Sequence, residues 1–203
     1  MNLPCIYLAS ASPCRHELLL QIGVSHEILR VPAPAGEDEP RLPGEPADIY
    51  VRRTARDKAL RARRWVDGGA AAGGEPLDPA RPILSADTTV ILDGDILGKP
   101  ADAEDAAAML ARLSGRRHAV HTAIALSRGA QLLEDVSITE VRFKRLSAEE
   151  IRAYCASGEP MGKAGAYGIQ GLAGLFVEHI SGSYTGVMGL PVFETGRLLQ
   201  SAA

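Results

Sequence analysis

Aromatic residues make up only 4% of this 203-residue chain, so Leu, Val, Ile and Ala have to fill its core. Cysteine is scarce as well. Cys5, Cys14 and Cys155 form an odd, scattered set with no CxxC pair, which excludes a disulfide framework and a structural zinc site and suits a reducing compartment. No stretch approaches the roughly 20 apolar residues that a membrane-spanning helix needs. The opening MNLPCIYLAS has neither a basic region nor a long apolar one, so no signal peptide is expected and the cytoplasm is the expected setting. Lys and Arg (22) do not outnumber Asp and Glu (25), and the net charge of −3 and pI near 6.0 argue against a broad nucleic-acid-binding face. No internal repeat, heptad pattern, HExxH or Gly-x4-Gly-Lys loop occurs, which removes coiled coils, zinc proteases and P-loop enzymes.

What is present is a soluble-type composition, 46% hydrophobic, in a chain long enough to bury about 70% of its extended surface. Short apolar runs alternate with helical segments. Cys5 to Ala9 reads as a buried strand, followed by Ser12 as N-cap and Pro13 as first residue of a helix that ends at Gly23. His26 to Val31 reads as a strand, and Pro32 to Pro46 as an acidic, Pro-rich loop. Pro46 opens a helix to about Val66, whose basic cluster from Arg52 to Arg64 reads as a solvated face. Asp67 to Arg81 is a Gly, Ala and Pro tract without a period, expected as a mobile surface loop. A hairpin with its turn at Asp93-Gly94 follows. Then come a helix from Ala103 to Leu113 capped by Asp102, strands at 118–126 and 132–143, and a capping box at Ser147 opening a helix that Gly158 ends. Lys163 to Gly174 reads as glycine-rich loop, Leu175 to Ile180 as a strand and Leu190 to Gln200 as the last helix. Hairpins among alternating strands and helices predict an α/β fold with a mixed sheet and flanking helices.

Chemistry concentrates in a few stretches. In SADTTVILDGDILGKP (Ser85 to Pro100) the carboxylate of Asp87 lies inside an apolar run. An unpaired buried ion costs several kcal/mol, so Asp87 needs a cation, a strand end or a proton. Lys99 on the other leg offers an ammonium, and the two residues read either as a structural ion pair or as part of a site for a charged substrate. Ser10, Ser12 and Arg15 lie where a strand gives way to a helix, a place where free N–H groups favour anions. Capping by Ser12 with Arg15 in solvent is the plainer alternative. Asp38 and Glu39 are paired acids of the kind that hold Mg²⁺ with substrate phosphates, or else a solvated loop. In KAGAYGIQGLAG, Gly165, Gly168, Gly171 and Gly174 recur every three residues and permit close approach of backbone to a ligand, with Gln170 able to read a base. His118 and His121, three apart on a strand, face opposite sides and make a poor chelate.

LASASPCRHELL, the Asp38-Glu39 and Lys58-Ala59 pairs, SADTTVILDGDILGKP and KAGAYGIQGLAGLFVEHISGSYTGVMGLPVFET together resemble the Maf family of nucleoside triphosphate pyrophosphatases, in the right order over nearly the whole chain. The resemblance implies one Maf-like domain over residues 1–203, with two lobes around a central cleft, usually as a homodimer. It implies hydrolysis of a nucleoside triphosphate to the monophosphate and pyrophosphate with a divalent metal, Mg²⁺ or Mn²⁺. The form with Gln170 resembles the dTTP/UTP branch. The alternatives are the branch acting on 7-methyl-GTP and a non-catalytic nucleotide-binding regulator of cell division.

By the same resemblance, Ser10, Ser12 and Arg15 match the phosphate-contacting turn, and Asp38 and Glu39 the acidic pair that would hold metal, with Asp87. Lys58, Asp87 and Lys99 match the charged catalytic positions, Asp87 as proton acceptor or metal ligand. Thr88 and Gln170 match positions linked to base choice. Cys14 stands where the family commonly has an arginine, which removes one cation and bears on specificity.

Overall fold

The structure is a computed structural model that describes residues 3–32, 39–69, 71–72 and 75–201. In chain order its elements are β1 (Ile6–Leu8), α1 (Pro13–Gln21), β2 (His26–Ile28), α2 (Ala47–Asp67), β3 (Ala71–Ala72), β4 (Glu75–Pro76), β5 (Ile83–Leu92) and β6 (Asp95–Leu97). Then follow α3 (Ala103–Leu113), β7 (Arg117–Arg128), β8 (Gln131–Phe143), α4 (Ala148–Ala156), β9 (Val177–Ser181), α5 (Tyr184–Met188) and α6 (Val192–Ser201). Seven strands make one mixed sheet in the order β2-β1-β5-β7-β8-β9, with β6 paired to β5. β1 runs parallel to β2 and β5, whereas β6 and β9 run antiparallel to their neighbours. The α/β class and the mixed sheet are as the element pattern predicts.

The chain divides into two compact units. The first comprises Met1–Asp87, Ala123–Val136 and Gly189–Ala203, the second Thr88–Thr122 and Ser137–Met188. In the first, α2 lays a stripe of Val51, Ala55, Ala59, Ala62 and Val66 inward, at the spacing of one helix face. Ala62 and Val66 pack with Tyr7, Leu29, Leu77 and Ile83, while Val51 and Ala55 meet Ala123. In the second, Leu110 and Leu113 of α3 and Ile151 and Tyr154 of α4 close over Val90, Val120, Val141 and Phe143. Four of the nine aromatics gather there: Phe143, Tyr154, Tyr167 and Phe176 meet edge to face. His118 lies among them, 2.8 Å from the Tyr167 hydroxyl, and burial pushes its pKa down to about 4.

Local chemistry explains the boundaries. The β5–β6 turn places Asp93 at φ 53° and Gly94 at φ 87°, the pair of positive angles a two-residue hairpin needs. Asp102 accepts from the amides of Glu104 and Asp105, and Ser147 and Glu150 form the reciprocal box. Four expectations differ. The tract at 67–81 carries the antiparallel pair β3–β4, unseen in the sequence because strands of two residues are too short to show a period. The glycine stretch holds short 3₁₀ turns at Ala164–Ala166 and Leu172–Phe176, and the strand after it starts at Val177. α5 goes unseen in the pattern, although Ser183 accepts from the Gly186 amide much as an N-cap does. Finally, the basic face of α2 is not wholly solvated: Arg63 is buried and donates to the carbonyls of Pro79, Arg81 and Ser127.

Arg63 thus satisfies three carbonyls from segments distant in sequence. Hydrogen bonds to a charged group contribute about 1.5–3 kcal/mol each, and the desolvation of a buried guanidinium offsets part of their sum. Arg63→Met is expected to cost about 3 kcal/mol, or roughly 6–12 °C in melting temperature for a chain of this size. A thermal melt followed by circular dichroism checks this.

Candidate active site

Asp87 sits in the interior of β5, whose residues from Ile83 to Asp87 are all buried, and it is 5% exposed. Its charge is compensated by α2. Lys58 donates to Oδ1 at 2.7 Å and Thr54 to Oδ2 at 2.8 Å. Thr54 also lies 3.0 Å from the Tyr50 carbonyl and 3.1 Å from that of Val51. Its single hydrogen goes to the carboxylate, the shortest and charge-assisted contact. Thr54 is the site residue that sequence reasoning missed. The available signal was its position four before Lys58, on the same helix face. Lys58 also forms an ion pair with Glu39, so one ammonium touches two carboxylates. A solvated loop, the plain alternative for Glu39, does not describe this arrangement.

Arg15 belongs to the same unit. Its Nε donates to the Gly189 carbonyl at 2.8 Å and its Nη1 to Ser10 Oγ at 3.0 Å, so it is not a solvent-facing arginine. Burial lowers its pKa, while the carboxylates of Asp87 and Glu39, and to a lesser extent Cys14, push it back up. The field of Asp87 and Glu39 therefore reaches the strand-to-helix turn. Ser12 takes the N-cap position with extended backbone, but its side chain makes no cap bond; its own amide donates to Ser10 Oγ at 3.2 Å. The expected capping by Ser12 is thus replaced by a turn built on Ser10 and Arg15. Cys14 is half-buried and outside any disulfide.

The segment after Glu39 is clamped to α2. Arg53 donates to both oxygens of Glu45, at 2.6 and 2.8 Å, and to the Pro40 carbonyl at 2.8 Å. The Tyr50 hydroxyl donates to the Glu39 carbonyl at 3.2 Å. Glu39 therefore reaches Lys58 from a backbone held at two adjacent carbonyls. Asp38 lies outside the described residues. Among the described residues no cluster of three or more His, Cys, Asp or Glu is placed to hold a metal; Glu39 and Asp87 both pair with Lys58.

The other expected residues lie in the second unit. Thr88 follows Asp87 along β5, its hydroxyl 3.0 Å from that of Thr122. Thr122 donates to the Gly186 carbonyl at 2.7 Å, so the hydrogen between the two threonines belongs to Thr88. Lys99 is exposed just past β6. The preceding residue, Gly98, accepts the Gly165 amide at 2.9 Å, which brings the end of the hairpin and the glycine loop together. Gly165 has φ 68°, and a Cβ there would lie 2.8 Å from Val90, so the position requires glycine twice over. Gln170 is exposed at the corner of a turn closed by the Gly171 amide on the Gly168 carbonyl at 3.0 Å.

Residues 5–202 match the family described as Maf-like protein. The chain belongs to that family. Among its relatives, a dTTP/UTP pyrophosphatase of Bordetella pertussis is 64% identical over 199 residues, covering 98% of this chain and 93% of the relative. A dTTP/UTP pyrophosphatase of Aromatoleum aromaticum is 53% identical, covering 97% and 94%. One of Dechloromonas aromatica is 51% identical, covering 96% of each chain. No helix among the described residues is long and apolar enough to cross a membrane.

The Arg53 clamp has a pH signature. The Arg53 hydrogen bond holds the Glu45 carboxyl below its ordinary value. Its contribution to stability is therefore complete above the unfolded value of about 4.3 and is lost as pH falls through the lower folded one. Glu45→Gln is expected to lower the urea midpoint at pH 7, and the gap from the parent protein should close as pH drops below about 4. Urea titrations at the two pH values measure it.

Proposed function

We propose that this chain hydrolyses dTTP and UTP to the monophosphate and pyrophosphate. The observation that carries the reading is the buried Asp87 carboxylate, held by Lys58 and Thr54, with Glu39 on the same ammonium. The names of the Maf-like relatives supply the substrate. Water attacks the α-phosphorus, the bond to the α–β bridging oxygen breaks, and pyrophosphate leaves. The proton of the attacking water passes to Asp87. A carboxylate offers about four lone-pair positions, and Lys58 and Thr54 occupy one on each oxygen, so acceptor capacity remains. Lys58, Arg15 and Lys99 stabilise the charge that develops on the phosphates. Ser10, Ser12 and the first amides of α1 bind phosphate oxygens.

A divalent cation, Mg²⁺ or Mn²⁺, belongs to the same proposal. Glu39 and Asp87 are hard oxygen donors converging on one ammonium. One or two carboxylates with waters and substrate phosphates is the donor set that Mg²⁺ takes, so these residues fit and would hold it. Asp38, adjacent in the chain, is a further oxygen donor within the proposal. When bound, the cation would supply charge screening to the phosphates held at this site.

For the base, Thr88 and Gln170 are the positions that the family resemblance links to base choice, and the Gln170 amide offers a donor and an acceptor to the edge of thymine or uracil. Cys14 takes no part in charge neutralisation, so the phosphates rely on Arg15 at this turn. A homodimer is the assembly that the family resemblance supports, and light scattering of the purified protein checks it.

Asp87→Asn is expected to slow pyrophosphate release from dTTP about 10²–10⁴-fold, the usual contribution of a positioned base. Near-normal turnover would remove Asp87 from the role of base. EDTA is expected to abolish turnover and Mg²⁺ or Mn²⁺ to restore it. Turnover of 7-methyl-GTP in preference to dTTP and UTP would place the protein in the other branch. Binding without turnover of any triphosphate would make it a regulator.

A further inference from the structure

Three bonds that no part of the proposed chemistry uses converge on the loop carrying Gln170. The Tyr154 hydroxyl donates to Glu159 Oε1 at 3.0 Å and accepts from the Gly168 amide at 3.3 Å. The Glu159 carboxylate also accepts from the Leu172 amide at 2.9 Å and the Ala173 amide at 3.4 Å. The backbone on both sides of Gln170 is thus tied to one hydrogen-bonded pair, Gly168 through Tyr154 and residues 172–173 through Glu159. Gly171 lies so close that a Cβ there would come within 2.6 Å of the Glu159 Cδ. Lys163 closes the same ring of contacts, its Nζ donating to the Glu159 carbonyl at 2.5 Å. Burial and Glu159 both push the Tyr154 pKa up, which keeps the hydroxyl protonated as the donor to the carboxylate.

A turn of four residues with an exposed amide at its corner has no rigidity of its own. Reading a base edge through a hydrogen bond discriminates only if the reader is held where a mismatched edge leaves it unpaired. Tyr154 is buried and lies on α4, a helix with a complete capping box, so the tie runs from the turn to a fixed element.

We infer that Glu159 and Tyr154 are positioning residues for nucleotide-base discrimination, holding the Gly168–Gly171 turn so that Gln170 meets the base edge of a pyrimidine triphosphate in one orientation. This inference rests on the reading of Gln170 as a base contact. Glu159→Gln replaces one acceptor oxygen by a donor facing other donors. Tyr154→Phe removes the hydroxyl and leaves the Gly168 amide without its partner. Neither change touches Asp87, Lys58 or Arg15.

The experiment compares kcat/KM for UTP and CTP in the parent protein, Glu159→Gln, Tyr154→Phe and Gln170→Ala, with a melting curve for each. The expected result is that all three substitutions narrow the UTP-to-CTP ratio about tenfold or more, mainly through KM for UTP, with kcat moving less. A merely structural role lowers the melting temperature and scales both substrates alike. If Gln170→Ala narrows the ratio and neither Glu159→Gln nor Tyr154→Phe does, the positioning inference is overturned and the base reading stands. If Gln170→Ala leaves the ratio unchanged, Gln170 does not read the base, and both fall.

Discussion

An ionised carboxylate inside a β-strand is the constraint around which the first unit is arranged. Asp87 on β5 is taken out of water and must be compensated, since breaking a buried pair leaves an uncompensated charge that costs about 3–5 kcal/mol. Compensation comes from α2 and needs two residues one turn apart, Thr54 and Lys58, on the side of the helix next to its apolar stripe. The same helix therefore performs two tasks. Val51, Ala55, Ala59, Ala62 and Val66 seat it, and the small alanines let it approach closely enough for short polar side chains to reach the strand. The Ser85 hydroxyl, donating to the Ala55 carbonyl at 2.7 Å, marks how near the two backbones come.

Once Lys58 is fixed on Asp87, its remaining donors are available to Glu39, and the clamp of Arg53 on Glu45 and Pro40 holds that segment in place. Arg15 enters from a different part of the chain and is tied to Gly189. The result is a set of cations and carboxylates in which each charge has a neighbour of opposite sign. A polyanionic substrate bound with a divalent cation is a ligand that exchanges for such internal pairings without leaving charges bare. That is why an arrangement that reads as an ion-pair network in isolation is also suited to phosphate chemistry.

The second unit solves a different problem. It contains most of the packed aromatic rings, and it uses them to support a loop rather than a charge. Gly165 and Gly171 admit backbone where a side chain would collide with Val90 or Glu159, and Tyr154 and Glu159 satisfy the loop amides so exposed. A regular three-residue spacing of glycines is thus the visible trace of a close fit against particular neighbours.

Much of the secondary structure was legible because its causes are local. The Asp93-Gly94 turn, the Asp102 cap and the Ser147 box each depend on side chains within a few residues, so their elements appear near the expected positions. The catalytic candidates were legible through the combined resemblance of four stretches to the Maf family, since no one of them distinguishes a site from a cap or a surface charge. What remained hidden depends on distance in space. Lys58 and Asp87 are separated by 29 residues and Arg15 and Gly189 by 174, and no local pattern encodes those meetings. Thr54 and Glu159 looked like ordinary polar residues, because a hydroxyl or carboxylate acquires a role only from the groups that packing brings against it. The sequence by itself thus determined most of the elements, the Asp102 and Ser147 caps and the family. Tertiary structure alone decided which cation compensates Asp87 and what holds Gln170 in place, because burial makes pairing obligatory and packing chooses the partner.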